Sequence, residues 1–336
     1  MKNTKKNIIL VLIVTFLVLF FVLKDDYQNI LNNLINANKV YILFGIVFIF
    51  LYWLLRAVCL FIITREYSKK VTFKNMFKQI IITQFFNGIT PFSTGGQPMQ
   101  VYMLNKSGIK IGSATSIIVQ DFIMYQLALV VMGMIALIAN WKFNFFTVSI
   151  TLRNLIILGF LINIFIGLFM VFVSFSTKFN DFIGKIVIRF GTKFKLVKDR
   201  EIVTRKWEEK LAEFHESALL FKKKKSLFVL CFLYNLFSLA IFYVIPLFVF
   251  LSLDSSIKVS ILSIITSSAF VLIIGNFVPI PGGSGGIEYG FLKFFGSIVA
   301  SFLISSSLII WRFITYYLGV IVGMIVFWFF LKEMKE

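Results

Sequence analysis

The chain has 336 residues, of which 59% are hydrophobic, and its mean hydropathy is +0.92. Soluble domains contain about 45–50% apolar residues, so this composition excludes an ordinary soluble protein and indicates a helical protein that crosses a membrane several times. One histidine and two cysteines argue against a His/Cys metal site or a histidine-based triad in the membrane, and the sequence holds no P-loop and no disulfide framework. We therefore expect no metal, no cofactor and no catalytic residue.

The basic residues outnumber the acidic ones by 34 to 15, and most of them lie between apolar runs, where they orient membrane spans. Lys2, Lys5 and Lys6 precede a first apolar run at residues 7–23. That run ends without a small-residue cleavage pattern, so it predicts a retained span and not a signal peptide. The N-terminus is accordingly expected in the cytoplasm.

The next three segments form a predicted unit at residues 40–139. A second span covers residues 40–63, and five basic residues between Arg65 and Lys78 mark its cytoplasmic end. The segment at residues 76–104 is interrupted by glycines and prolines and is too short to cross, so it predicts a re-entrant hairpin that enters from the cytoplasm. A third span at residues 111–139 completes the unit.

A fourth span at residues 154–175 leads to residues 176–226, which hold 14 Lys and Arg against seven acidic residues. This composition predicts a cytoplasmic loop of two amphipathic helices that lie on anionic lipid. Nucleic-acid binding is the alternative for this loop, but aromatic residues are sparsely interleaved with the basic ones. We therefore expect no nucleic-acid partner.

The last segments repeat the same plan at residues 227–331. A fifth span at residues 227–253 is followed by an interrupted segment at residues 261–301 and by a sixth span at residues 305–331, with Lys332 and Lys335 at its end. A cytoplasmic C-terminus makes the second hairpin enter from outside. The prediction is one all-α polytopic membrane domain over residues 1–336, with six spans and two re-entrant hairpins in an inverted repeat.

The two interruptions share a motif. Pro91 is followed after three residues by Gly95-Gly96, and Pro281 is followed after three residues by Gly285-Gly286. Inverted repeats with broken helices are typical of transporters, because non-helical backbone is tolerated in a membrane only where it is buried or lines a wet cavity. The amides beyond each Gly-Gly pair are candidates to bind a phosphate. Ordinary surface loops are the alternative for either cluster taken alone.

Four charged residues lie within or beside the apolar runs, namely Arg56, Asp121, Glu288 and Arg312. An ionised group at the centre of a span costs about 2.5–3.5 kcal/mol, so such groups usually face a partner or a cavity. For Asp121 and Arg312, an ion pair with each other and direct contact with a ligand both stay open. Arg56 is expected to snorkel to the interface, and Glu288 to stabilise a helix N-terminus, to attract a cationic head group or to carry a proton.

Together these features give the candidate substrate-binding residues Asn87, Thr90, Pro91, Ser93, Gly95, Gly96, Gln97, Asp121, Asn276, Pro281, Gly282, Gly283, Ser284, Gly285, Gly286, Glu288 and Arg312. Residues 282–286 also satisfy the G-x-S-x-G pattern of serine hydrolases. That motif needs a strand–turn–helix setting and a base. The hydrolase interpretation is rejected because His215 belongs to the predicted cytoplasmic loop.

Residues 90–98 and 279–288, with Arg312 followed by Tyr316 and Tyr317, resemble the lysylphosphatidylglycerol synthase transmembrane family. This is the flippase-like membrane region of the bacterial multiple peptide resistance factor. In members with two domains, this region moves aminoacylated phosphatidylglycerol between leaflets, while a soluble C-terminal domain transfers lysine from tRNA to the lipid. We expect this chain to correspond to the membrane region alone, and it departs from many relatives in having Phe122, not arginine, after Asp121.

The resemblance implies a translocase of (lysyl-)phosphatidylglycerol or a related lipid in the bacterial plasma membrane. The paired glycines would admit the phosphate, Arg312 would bind it, and Glu288 and Asp121 would favour an ammonium group. The expected partners are membrane phospholipids, and a separate lipid-modifying synthase is a further candidate. Phosphatidylglycerol lysyltransferase activity and a scaffold role for a lipid or polysaccharide synthesis partner are the two alternatives.

Overall fold

The computed structural model describes residues 27–146, 150–180, 182, 184, 186, 200–275 and 278–334, and the regular structure of these residues is helical. The predicted span at residues 7–23 lies outside them. The main helices in chain order are α1 (Tyr27–Asn36), α2 (Lys39–Arg65), α3 (Phe73–Gly88), α4 (Gly96–Lys106), α5 (Ile111–Phe143), α6 (Ile150–Phe175), α7 (Arg200–Lys223), α8 (Lys225–Leu253), α9 (Ile261–Gly275), α10 (Gly286–Phe295), α11 (Ser301–Arg312) and α12 (Leu318–Glu333).

Within the described residues, five helical stretches are long and apolar enough to cross a membrane. They are α2, α5, α6, α8 and the continuous stretch Ser301–Glu333 that α11 and α12 form together. Each coincides with a predicted span. The all-α polytopic fold is therefore confirmed.

The stretch Ser301–Glu333 contains an irregularity that the sequence does not predict. A π-helical segment, Phe313–Tyr317, follows Arg312 directly and joins α11 to α12. Such wide turns are rare within α-helices and are frequent at functional sites. Arg312 therefore lies at the boundary between α11, which packs on α1, and α12, which packs on α3.

Both predicted interruptions are present. Helices α3 and α4 form the first hairpin around a 3₁₀ turn at Pro91–Ser93, and α9 and α10 form the second around a 3₁₀ turn at Pro281–Gly283. Proline cannot donate a backbone hydrogen bond, and the two residues that follow each of these prolines have positive φ, so the helical path ends at each turn. The second hairpin is shorter than predicted, because α10 ends at Phe295. Opposite membrane orientations of the two hairpins stay a prediction.

Helices α2 and α8, which precede the two hairpins, pack along each other and form the centre of the molecule. Trp53 of α2 and Tyr243 and Phe250 of α8 are buried there. Helix α5 packs on α8 and α9, and α3 packs on α12. Spanning helices thus pack on the helices of both hairpins, while residues 91–94 of the first turn stay exposed.

The predicted basic loop is only partly described. Its second part is the helix α7, which packs on α5 through the Glu213 side chain, 3.3 Å from the Gly112 amide and 3.4 Å from the Lys110 ammonium. Helix α7 therefore contacts α5 along one of its faces. A short helix that the sequence analysis did not predict, α1, packs on α11, where the Asn33 amide donates to the Ser306 hydroxyl at 3.2 Å.

Candidate functional site

The tips of the two hairpins have the same backbone conformation. In the first tip, Phe92 and Ser93 follow Pro91 with φ of 55° and 52°. In the second tip, Gly282 and Gly283 follow proline with φ of 67° and 62°. Residues other than glycine rarely adopt such positive φ values, so two consecutive ones at the same place in both units support the internal repeat.

The two tips also contact each other. Tyr316 lies between them, because its hydroxyl donates to the Gly88 carbonyl at 2.9 Å while its ring covers Gly282. A Cβ atom on Gly282 would lie 2.4 Å from that ring, so this position needs glycine for space as well as for its φ. Tyr316, which lies in the π-helical segment of the last span, thus connects the second hairpin to the end of the first.

A first ion pair lies beside the tips. Arg56 of α2 is 2.8 Å from Asp121 of α5, and its guanidinium also donates to the Asn235 side chain and lies over the Tyr125 ring, 4.5 Å from the ring centroid. Only 14% of the Arg56 side chain is exposed. The prediction that Arg56 snorkels to the interface is therefore wrong, because α5 and α8 supply polar partners at the depth where it lies.

A second ion pair joins the last span to the second hairpin. Arg312 Nη2 is 2.6 Å from Glu288 Oε1, and the same nitrogen donates to the Gly282 carbonyl at 3.1 Å and the Ser284 hydroxyl at 3.3 Å. Both partners are almost fully buried. The alternative that Asp121 pairs with Arg312 is wrong, since each charge has a nearer partner on another helix.

Glu288 fulfils its predicted structural role at the same time. Its Oε2 accepts a hydrogen bond from the Gly285 amide at 2.6 Å and so caps α10, while its Oε1 faces Arg312. One carboxylate thereby satisfies a helix N-terminus and a buried guanidinium. With both oxygens bonded to protein, Glu288 does not line the space between the tips.

In the first hairpin, the amides of the paired glycines are bonded within the hairpin, while phosphate binding by the amides that follow each pair stays a prediction. The Gly95 amide donates to the Thr90 hydroxyl and the Gly96 amide donates to Asn87 Oδ1, both at 2.8 Å. A Cβ atom on Gly96 would lie 2.2 Å from the Thr83 side chain. Close packing of the hairpin thus accounts for glycine at this position.

A cavity of about 690 Å³, here called the central cavity, lies between the tips and both arginines. Seven of the candidate residues line it: Asn87, Ser93, Gln97, Asp121, Gly282, Gly283 and Arg312. Nine others lie in or next to the two turns but do not line the cavity: Thr90, Pro91, Gly95, Gly96, Pro281, Ser284, Gly285, Gly286 and Glu288. Asn276 lies outside the described residues. A binding role for any of them stays a prediction.

The cavity also has polar lining residues that the sequence analysis missed. They are amides and hydroxyls at Tyr52, Thr83, Gln84, Thr94, Gln100, Tyr125, Gln126, Asn163, Thr315 and Tyr316. The signal that could have found several of them is a carboxamide inside an apolar span, as at Gln126 and Asn163. Such groups are costly in a membrane unless they have a partner or face a cavity.

The charges of the cavity are balanced in the part of the chain that the structure describes. The charged lining residues there are Arg56, Asp121 and Arg312, and each is in an ion pair. Buried Gln97 Oε1 has no hydrogen-bond partner among the described residues. The arrangement therefore offers polar contacts and two ring-stacked guanidinium groups, each paired with a carboxylate, although of the two carboxylates only Asp121 lines the cavity.

Comparison with known proteins places this chain in a family. The lysylphosphatidylglycerol synthase TM region matches residues 7–323. A protein called UPF0104 membrane protein, from Archaeoglobus fulgidus, is 22% identical over 282 residues, which cover 82% of this chain and 81% of that protein. Because the family match spans nearly the whole chain, this protein belongs to the lysylphosphatidylglycerol synthase transmembrane family.

Proposed function

We propose that this protein moves the head group of a phospholipid between leaflets through the central cavity, with (lysyl-)phosphatidylglycerol or a related lipid as substrate. The observation that carries the proposal is that two helix-breaking tips of similar conformation meet at one cavity, which has polar lining residues and lies among spanning helices. Irregular backbone within membrane spans usually marks a substrate pathway. The family membership agrees with a lipid-related role.

The charge balance of the cavity favours a head group that carries both signs. A phosphate can approach Arg56 and Arg312, both of which line the cavity, while an ammonium can approach Asp121. Each of these contacts competes with an existing ion pair, so neither charge is bound tightly. Weak binding suits a translocase because the head group must also leave the site.

The uncharged lining residues favour a head group that contains hydroxyls. Gln84, Gln97 and Gln100 each carry a carboxamide, which has a carbonyl oxygen that accepts and an amide that donates hydrogen bonds, and the Gln97 oxygen has no partner among the described residues. A glycerol hydroxyl both donates and accepts, so it is matched by such side chains. This supports phosphatidylglycerol and its aminoacyl derivatives over head groups that are only charged.

The direct test is a transport assay in liposomes that contain head-group-labelled phosphatidylglycerol or lysylphosphatidylglycerol. Thr94→Trp places a large ring at an exposed lining position of the first tip, and we expect it to slow translocation at least tenfold. Ser107→Trp is the matched control, because Ser107 is also an exposed residue that ends a helix but does not line the cavity. Equal rates for native protein, Thr94→Trp and empty liposomes would refute the proposal.

The two alternatives give different results in cells. Lysyl transfer predicts that lysyl-lipid appears in cells that express this chain without a separate synthase. A scaffold predicts that changes in the basic loop abolish function while Thr94→Trp has no effect. Translocation predicts neither result.

A further inference from the structure

A second cavity lies on the lipid-facing side of the bundle, between α5, α6 and the start of α8. It has a volume of about 610 Å³, and its walls are apolar apart from Gln120, Gln126 and Lys225. The apolar lining residues are Ile123, Met124, Leu127, Val130, Ile164, Gly167, Leu168, Val171, Phe175, Phe228 and Val229. We call it the lateral cavity.

The lateral cavity is as long as one lipid leaflet is thick. Its lining residues on α6 extend from Ile164 to Phe175, which at 1.5 Å per residue is about 16 Å along the helix. The hydrocarbon core of a bilayer is about 30 Å thick, so each leaflet contributes about 15 Å. An extended acyl chain from one leaflet therefore fits the cavity lengthwise.

A single cation stands at one end of this apolar space. Lys225 begins α8, close in sequence to Phe228 and Val229, whereas Val130 and Ile164 form the opposite end. The neighbouring Lys224 is paired with Glu66, but Lys225 makes no ion pair with the described residues. A cation at the end of an acyl-sized cavity is placed to bind the phosphate of the same lipid.

The lateral cavity adjoins the central cavity. Gln126 lines both, and its Nε2 donates to Asn163 Oδ1 at 2.7 Å and to the Asn163 carbonyl at 2.9 Å. One layer of side chains, held by these two hydrogen bonds, therefore separates them. A lipid bound in the lateral cavity is therefore adjacent to the central cavity but does not occupy it.

We propose that the lateral cavity binds a phospholipid with a net negative charge, one acyl chain of which lies along α5 and α6 while its phosphate contacts Lys225. Since the basic residues 222–225 mark the cytoplasmic side, the lipid comes from the cytoplasmic leaflet. The proposal does not depend on translocation, because binding to this site can be measured directly.

The test uses the full-length protein in detergent with phosphatidylglycerol or phosphatidylcholine, each carrying a diazirine at the end of one acyl chain. After illumination, mass spectrometry locates the labelled residues. We expect phosphatidylglycerol to label the deep end of the cavity, near Val130 and Ile164, at least fivefold more than phosphatidylcholine. Lys225→Gln should remove that preference, while Lys223→Gln, the same charge change outside the cavity, should leave it unchanged.

A second pair of variants tests the position of the chain. Leu168→Trp fills the lateral cavity and should reduce the deep label at least fivefold. Leu161→Trp is its control, because Leu161 lies two turns away on the same helix, is equally exposed at 55%, and does not line the cavity. Val130→Phe replaces Leu168→Trp if that variant does not elute as the native protein does in size-exclusion chromatography.

Equal labelling by the two lipids in the native protein would overturn the role of Lys225, and deep labelling that persists in both cavity-filling variants would overturn the site itself. These results are separate from the transport assay. Normal labelling combined with unaffected transport in Thr94→Trp would reject only the proposed translocation.

Discussion

The hydroxyl of Tyr316 donates a hydrogen bond to the carbonyl of Gly88 across 2.9 Å, and this bond joins the helix after the second hairpin to the end of the first. The Tyr316 ring occupies the space in which a side chain at Gly282 would lie. Tyr316 therefore links the second tip to the end of α3, in addition to the direct contact between the two tips. A substitution at Gly282 that moves the Tyr316 ring therefore alters the packing of both hairpins.

Gly282→Ala should lower the melting temperature of the detergent-solubilised protein. The new methyl group would lie 2.4 Å from the Tyr316 ring, and a positive φ costs alanine about 1–2 kcal/mol in addition. Gly108→Ala is the control, since Gly108 has φ of 88° and no neighbour within 4 Å, and so reports the backbone cost alone. An equal decrease of the melting temperature in the two variants would show that the Tyr316 ring moves aside without destabilising the protein.

Removing one partner of the Arg56–Asp121 pair should destabilise the protein by about 3–5 kcal/mol, because it leaves a buried charge without its counter-ion. The expected order in thermal unfolding is a large loss for Arg56→Met, a large loss for Asp121→Leu, and partial recovery in the double variant. Lys78→Met, at the ion pair with Glu333 near the surface, should cost at most about 1 kcal/mol. Additive losses in the double variant would mean that the two residues do not interact.

Two substitutions at Glu288 separate its charge from its role as a helix cap. Glu288→Gln keeps an oxygen that can accept from the Gly285 amide but removes the counter-ion of Arg312. Glu288→Leu removes both, so we expect a further loss of about 1 kcal/mol for the missing cap. Comparison of the two unfolding temperatures measures this difference, and identical values would assign the whole effect to the ion pair.

The inverted arrangement of the hairpins is testable by labelling. Ser284 is buried, so the second tip is a poor site for a reagent. Ser107 and Ser297 are better placed, because each is an exposed serine just beyond the second helix of its hairpin. In a Cys59→Ser/Cys231→Ser background, single cysteines at these two positions should react with an impermeant maleimide from opposite sides of the membrane. Reaction from the same side would refute the inversion.

The helices and their interruptions were largely predictable because hydrophobic length and Pro/Gly clusters are local signals. The five described spans and both hairpin turns lie where composition placed them. The end of α10 was misplaced, since residues 296–300 are apolar enough to continue a helix yet form a loop.

The pairing of charges was not predictable in the same way. Three helices, α2, α5 and α11, each carry one of the charges Arg56, Asp121 and Arg312, and their spacing along the chain does not say which of them face each other. The nearness of Arg56 to Arg65 suggested an interfacial position. In the fold, Asp121, Asn235 and Tyr125 surround Arg56 instead, and that environment arises only when three helices pack.

The π-helical segment after Arg312 determines the rotational phase of the last span. A wide turn accommodates one extra residue, which rotates the helix on one side of it by about 100° relative to the other. On α12, Gly323 packs so closely on α3 that a Cβ atom there would lie 2.6 Å from the Ile81 carbonyl, while Arg312 faces Glu288 in a different direction. Deletion of one residue within 313–317 would restore a regular helix, and α12 could then keep its contact with α3 only if Arg312 turned away from its counter-ion.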